Sequence, residues 1–218
     1  MAKTSDPDAV AINGVKPVTF FINDTENKLR IYRYDSIAER KTASEILREN
    51  DGARFYYSEP KSNAKNIMCL LIPRDEKEYT REDGEVLGKV IKTVFEKLND
   101  TQEIVYTGRG ENWESKTVVK YYEYFFEDED ATLNYENWHE GSTLLTYLGK
   151  DIDSVGVISY ERQGPTGGGS GTGVTLDPDG TVRLGSGGGN GSMPRADTEV
   201  TFTIRWNDRE ETFTARAE

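Results

Sequence analysis

Acidic side chains are the first candidates for chemistry in this sequence. Two groups of acidic residues stand out, the run Glu127-Asp128-Glu129-Asp130 and the pair Asp177 and Asp179 on either side of Pro178. Carboxylates bind divalent cations and attract basic surfaces, and the run 127–130 is the better candidate for either. The pair lacks the closing glutamate of a calcium loop, and a run of acids beside a strand end is usually a solvated loop. We therefore predict no metal site; the candidate partner contacts are Glu127, Asp128, Glu129, Asp130, Asp177, Asp179 and Arg183.

Nucleophiles and general bases are scarce. Cys69 is the only cysteine and lies in an apolar strand-like run, so we predict a buried small hydrophobe; a lone cysteine also excludes an intrachain disulfide. His139 is the only histidine, and its neighbours fit a surface loop as well as a site. No serine elbow precedes a helix. We predict that the protein is not an enzyme, although a carboxylate-based hydrolase stays open because it needs only two acids across a cleft.

Glycine is concentrated in one stretch. The segment 164–193 contains twelve of the 21 glycines, eleven of them in two clusters on either side of the segment 174–184. Glycine-rich loops bind phosphate when they lead into a helix N-terminus, but here they flank an Asp-Pro-Asp-Gly turn between strand-like segments, which predicts a β-hairpin. No Gly-Lys-Ser/Thr follows, so we predict neither nucleotide binding nor any cofactor. The glycine arms are either flexible struts or ordered strands with close backbone approach.

Composition narrows the classes of partner. The chain has 218 residues, enough for a core without disulfides, and a net charge of −12, which would repel phosphate backbones. We therefore expect no nucleic-acid binding. The chain contains no apolar run long enough for a membrane span, and its first residues are not a signal peptide. Either the protein is cytoplasmic or an export signal has been removed upstream.

Hydrophobic periodicity predicts the elements that position these residues. The strongest helix is 80–99, with one apolar stripe, and a capping box at Ser36 predicts a second helix to Glu49. Residues 67–72 are continuously apolar, as in a central strand covered on both faces, whereas 131–150 is predicted to be irregular or helical. The further strands are 18–23, 29–34, 54–58, 103–106, 116–126, 154–160, 199–206 and 210–216.

These elements predict an α+β fold. A mostly antiparallel or mixed sheet would pack on the main helix 80–99 and continue into a C-terminal β-hairpin extension with a glycine-rich insert. Residues 1–16 are expected to be a flexible lead-in or tether, residues 17–163 the α+β domain, and residues 164–218 a glycine-rich β extension packed on that domain.

The C-terminal third carries a resemblance to a known class of proteins. Its strand Ser159-Tyr160-Glu161-Arg162, its glycine-rich insert, its hairpin 176–184 and its final hairpin resemble the ends of uncharacterised surface lipoproteins of Gram-positive bacteria. In those proteins a polar tether follows a lipid-bearing cysteine; residues 1–16 resemble the tether, but the lipobox and its cysteine do not occur. The resemblance implies an envelope location, and it implies no activity.

Together these observations predict a binding protein. We expect a non-enzymatic binding or accessory module of the bacterial cell envelope, extracellular and attached to the cell surface, with a lipid anchor upstream. It would present the glycine-flanked hairpin to a protein or cell-wall component. The alternative is an acidic cytoplasmic protein of the immunity type that binds a basic partner, and the third function is the carboxylate-based hydrolase.

Overall fold

The computed structural model describes residues 2–22, 27–49, 63–73, 81–128, 130–164 and 167–218. The chain forms two compact units. The first comprises Met1–Asp100 with Phe125–Asn134, and the second comprises Thr101–Tyr124 with Tyr135–Glu218. The predicted strand 54–58 and the predicted helix start at Thr80 lie outside the described residues.

The first unit is built on a five-stranded antiparallel sheet with strand order β1-β2-β3-β5-β4. Its elements in chain order are β1 (Ala2–Thr4), β2 (Val18–Phe21), β3 (Lys28–Arg33), α1 (Ile37–Glu49), β4 (Asn63–Ala64), β5 (Ile67–Ile72) and α2 (Arg81–Leu98). Neither helix of the described chain has the length and apolar character required to cross a membrane.

Both faces of β3 and β5 are covered by apolar side chains. One face packs Tyr32, Met68 and Leu70 with Ala43 and Leu47 of α1. On the other face, Ile22, Leu29, Cys69 and Leu71 form a buried cluster with Ile91 of α2. Val90, Val94 and Leu98 of the same helix border this cluster. The prediction that 67–72 is a central strand covered on both faces is confirmed, and so is the burial of Cys69.

The N-terminal segment contributes a buried carboxylate to this unit. The side chain of Asp6 is 1% exposed, and its oxygens accept hydrogen bonds from Lys28 Nζ at 2.9 Å and Arg30 Nε at 2.8 Å. Burial alone would raise the pKa of Asp6, but the bonds and charges of Arg30 and Lys28 outweigh burial and lower the pKa to about 2. Residues 2–16 thus carry β1 and one member of a buried ion cluster.

The second unit is an eight-stranded antiparallel sheet with order β10-β9-β12-β13-β6-β7-β8-β11, which curls until it is nearly closed. Its strands are β6 (Gln102–Arg109), β7 (Trp113–Glu127), β8 (Leu133–Tyr147), β9 (Val157–Gly164), β10 (Gly167–Thr175), β11 (Thr181–Gly189), β12 (Glu199–Trp206) and β13 (Arg209–Ala217). The tips of β7 and β8 belong to the first unit.

The predicted fold class, an α+β sheet packed on one main helix, is wrong. The described chain is mostly β, with both of its helices in the first unit and a larger, nearly closed sheet in the second unit. The error comes largely from 131–150, because that segment forms the long strand β8 where an irregular or helical piece was predicted. With β8 paired between β7 and β11, the sheet is wide enough to curl on itself.

The predicted hairpin at 174–184 is half right. Its turn forms: the Gly180 N–H donates to the Asp177 carbonyl at 2.8 Å, and Gly180 has φ +80°. The strands on either side of the turn nevertheless separate, because β10 pairs with β9 and β11 pairs with β8. The glycine arms are therefore ordered edge strands, and β10 and β11 lie at opposite ends of the strand order of the described sheet.

The final hairpin forms as its pattern predicts. β12 and β13 pair in register, with Phe202 opposite Phe213 and their rings stacked at 5.5 Å. The apolar face of β12 is buried in the interior of the sheet. There it joins Trp113, whose ring lies 5.4 Å from that of Trp206 in an edge arrangement.

Candidate ligand-binding site

The interior of the second unit changes character along its strands. On β7 the inward positions begin with Trp113 and continue to Thr117 and Val119. At one end the interior is filled by aromatic and aliphatic side chains such as Leu145, Ile158 and Trp206. At the other end it is open and forms a cavity of about 270 Å³, whose lining residues are Tyr106, Thr117, Val119, His139, Gly141, Arg162, Gly164, Gly167, Gly168, Gly187, Gly188, Gly189, Asn190, Pro194 and Val200.

Arg162 is the cation of this cavity. It lies on β9, partly buried, and its Nη1 donates to Thr143 Oγ1 at 3.1 Å. Thr143 is 1% exposed and shares a hydrogen bond of 2.9 Å with Thr117 from β7. The two threonines hold the guanidinium on one side. Within the described parts of the chain no carboxylate forms an ion pair with Arg162, and the lining contains none.

His139 contributes the second ionisable group. It lies on β8 opposite Gly189, and its Nδ1 atom is buried without a hydrogen-bond partner among the described residues. Burial lowers the pKa of His139, so the neutral imidazole dominates near pH 7 and offers one donor and one acceptor. Leaving a buried polar atom unpaired costs about 1–3 kcal/mol, which a ligand bonded to it would offset.

Hydrogen bonds fix the segment that follows β11 beside the cavity. Gly191 N donates to Asn137 Oδ1 at 2.8 Å, and Asn137 Nδ2 donates back to the Gly191 carbonyl at 3.2 Å. Further along, the buried Tyr106 hydroxyl donates to the Arg195 carbonyl at 2.8 Å, and the Arg195 guanidinium donates to Glu123 at 3.0 Å. These anchors hold Pro194 in the lining while Arg195 is neutralised outside it.

Glycine on the edge strands makes the wall thin. A Cβ at Gly188 would lie 2.4 Å from the backbone oxygen of His139, so β11 approaches β8 at a distance that excludes side chains there. A Cβ at the neighbouring Gly187 would meet nothing within 4 Å. Larger residues along this wall would fill the space that the cavity occupies.

The acidic residues predicted as partner contacts do not line the cavity. Asp179 Oδ1 accepts from Thr181 N at 3.0 Å and from Thr181 Oγ1 at 2.7 Å, bonds that lower its pKa and make it a turn cap. Asp177 and Arg183 are exposed on the same turn and on β11.

The acidic run at the end of β7 also serves a turn. Asp128 accepts from Thr132 N at 2.8 Å and from Asn134 Nδ2 at 3.0 Å, and these bonds lower its pKa. Glu127 and Asp130 are exposed, and Glu129 lies outside the described residues. Among the residues with described positions, no three His, Cys, Asp or Glu side chains group as metal ligands would. The proposed partner contacts remain predictions.

Among the polar residues of the cavity, His139 was considered from the sequence, as a lone candidate base. Arg162 and Thr117 of the lining were missed, and so was Thr143, which bonds to both. A signal was present: β8 carries polar or small residues at alternate positions, Asn137, His139, Gly141 and Thr143. Comparison of the chain with protein-family models, with curated proteins and with solved structures found no match.

Proposed function

We propose that the protein is a non-enzymatic binding module whose second unit holds a small polar ligand in the cavity lined by Arg162 and His139. One observation carries this proposal: in a sheet interior that is otherwise packed with apolar side chains, a guanidinium without a carboxylate partner and an unbonded imidazole nitrogen line the same open space. A buried atom such as His139 Nδ1 is costly unless something bonds to it, and the partly buried guanidinium has N–H groups left to donate. A bound ligand would supply those bonds.

The volume favours a small ligand. The cavity of about 270 Å³ lies just below the range of roughly 300–1,000 Å³ that is typical of sites for drug-sized molecules. Val119, Val200 and Pro194 provide apolar surface beside the polar groups. This combination of apolar wall and few polar anchors is typical of small-molecule sites.

The arrangement of the polar groups supports binding over catalysis. A nucleophile needs a base within hydrogen-bond reach. The Thr117 hydroxyl is bonded to Thr143, and His139 Nδ1 has no bonded partner in the described chain. Cys69 lies in the first unit, where burial raises the pKa of its thiol to about 12. A thiol of that kind is not a nucleophile at neutral pH.

A cavity-filling variant tests the proposal. Gly141 lines the cavity in an ordinary strand conformation, and a Cβ added there would lie 3.4 Å from Val119 Cγ2, so Gly141→Val extends side chain into the space with little backbone strain. A library of small polar compounds would be titrated against ¹⁵N-labelled protein. We expect hits that shift the amide signals of Gly188 and Gly189 and that lose binding in Gly141→Val. If no compound distinguishes the variant from the wild type, the cavity is not a binding site.

The cellular setting belongs to the same proposal. The extracellular, surface-attached location rests on the resemblance of the C-terminal third to Gram-positive lipoproteins, and labelling of intact cells by an antibody to this protein would test it. The partner, a protein or cell-wall component, is proposed to carry the bound group. The immunity-type and hydrolase alternatives stay predictions.

A further inference from the structure

We propose that the ligand of this cavity is a small carboxylate, held by the guanidinium of Arg162 with His139 as a second hydrogen-bonding group. This inference rests on the proposed binding function and adds the chemical class of the ligand. It comes from the charge of the cavity, from the hydrogen bonds that Arg162 makes and leaves free, and from the groups that surround it.

The charge of the cavity is opposite to that of the chain. The protein has a net charge of −12, yet the lining contains an arginine and no aspartate or glutamate. Arg162 is partly buried, and a guanidinium that loses part of its hydration without gaining a counter-ion is unfavourable. An anion in the cavity would complete the pair.

The geometry of Arg162 suits a carboxylate. Thr143 accepts one hydrogen bond from Nη1, and the remaining N–H groups have no partner among the described residues. A planar guanidinium presents parallel N–H groups that match the two oxygens of a carboxylate. The bond to Thr143, itself bonded to Thr117, fixes the plane of the guanidinium before the ligand arrives, so less side-chain entropy is lost on binding.

A ligand with one negative charge fits this cavity better than a ligand with two. Arg162 is the one permanent cation in the lining, and the imidazole of His139 is neutral near pH 7 because burial lowers its pKa. A phosphate dianion would leave a charge uncompensated inside an acidic protein, and the described residues of the second unit contain no helix that could offer its N-terminus to phosphate. The apolar surface of Val119 and Val200 would contact the body of an organic acid.

The carboxylate can come from a free organic acid or from the C-terminus of a peptide. Both present the same group to Arg162, and the titrations distinguish them. Benzoate and butyrate represent free acids, and N-acetyl-Ala-Ala represents a peptide C-terminus. Their neutral counterparts are benzamide, butyramide and N-acetyl-Ala-Ala amide. Inorganic phosphate serves as the dianion.

Isothermal titration of the full chain gives the decisive comparison. We expect at least one acid to bind about ten- to hundred-fold more tightly than its amide, and phosphate to bind more weakly than that acid. Arg162→Gln should remove the preference for the acid, while the matched surface variant Arg209→Gln should leave it unchanged, because Arg209 is exposed on β13 outside the lining. Preference for N-acetyl-Ala-Ala alone would identify a peptide end as the source.

The outcomes separate this inference from the proposed function. Amides that bind as tightly as their acids, with affinity lost in Gly141→Val, would overturn the carboxylate assignment and leave the binding cavity intact. Stronger binding of phosphate would overturn it in the same way. If Arg162→Gln does not fold, the comparison of acid with amide in the wild-type protein still decides the question.

Discussion

Each unit holds an arginine away from bulk water, Arg30 almost completely and Arg162 in part, and the two side chains have different partners. In the first unit Arg30 is buried against Asp6, which Lys28 also contacts, so the guanidinium has a carboxylate from its own chain. In the second unit Arg162 has two threonines behind it and no carboxylate among the described residues. The first arrangement is complete without a ligand, whereas the second is complete only with one.

The same contrast runs through the packing of the two sheets. β3 and β5 of the first unit are covered on both faces by apolar side chains, and the charged side chain that β3 buries, Arg30, is paired with Asp6. The second unit curls its sheet around an interior that is apolar at one end and hollow at the other. We therefore interpret the buried Arg30 as a contribution to stability and the partly buried Arg162 as a contribution to binding, and the presence of a carboxylate partner is the feature that separates the two.

The largest expected effect is the loss of stability when the ion pair between Asp6 and Arg30 is broken. Asp6→Asn leaves Arg30 buried without a counter-ion, and we expect the free energy of unfolding of the first unit to fall by about 3–5 kcal/mol. The matched variant Arg162→Gln should cost about 1 kcal/mol or less in the second unit, because it removes one neutral-acceptor hydrogen bond together with an uncompensated charge. Urea unfolding followed by resolved NMR signals of each unit measures both.

Equal losses in the two variants would break the comparison. They would mean that Arg162 already has a stabilising partner within the protein, and the case for an anionic ligand would lose its basis.

A second prediction concerns the glycine wall of the cavity. Gly188→Ala would bring Cβ to 2.4 Å from the His139 backbone oxygen, so we expect a loss of about 1–3 kcal/mol and faster amide exchange along β11. Gly187→Ala is the control, since a Cβ there meets nothing within 4 Å, and should change stability by about 0.5 kcal/mol or less. Similar tolerance of both changes would argue against the pairing of β11 with β8.

The third prediction follows from the pKa of Asp6. Its folded value of about 2 lies below the ordinary value of 3.8, so the unfolded chain takes up the proton first as pH falls. The pH-dependent part of the contribution is fully present above about pH 5 and is lost as pH falls from about 4 towards 2, and it amounts to about 2 kcal/mol of the loss expected for Asp6→Asn. The difference in stability between wild type and Asp6→Asn, measured by urea unfolding across this range, should shrink towards low pH. A constant difference would contradict the prediction.

The parts of the fold that follow from apolar patterning were predictable. The continuous run 67–72, the stripe of α2 and the alternation of β12 each bury the faces that their patterns indicate. The turn at Asp177–Gly180 was also predicted from its sequence, but a turn sequence determines only the local backbone geometry. Which strands pair with β10 and β11 depends on the whole sheet, and glycine-rich strands specify their register weakly.

The strand β8 shows why the site was hidden. Its inward positions include Asn137, His139 and Thr143, so the alternation of apolar and polar residues that marks a strand is absent where the cavity lies. Arg162 has the sequence context of an ordinary strand residue. Only its distance to Thr143 and the lack of a carboxylate beside it set it apart, and both are properties of the folded chain. Burial of Asp6 was equally invisible.

The smallest expected effect is the pH dependence of ligand affinity that His139 should produce in the second unit. In the free protein burial lowers the pKa of His139, and the other ionisable groups of the lining are Arg162 and Tyr106. A bound carboxylate favours the protonated imidazole and raises that pKa, so binding takes up a proton and the affinity for benzoate should rise by about three-fold or more from pH 7.5 to pH 6. His139→Gln should bind with little pH dependence over the same range, which isothermal titration in two buffers of different ionisation enthalpy would show. Affinity that falls as pH is lowered would place His139 away from the bound charge and leave Arg162 as its sole anchor.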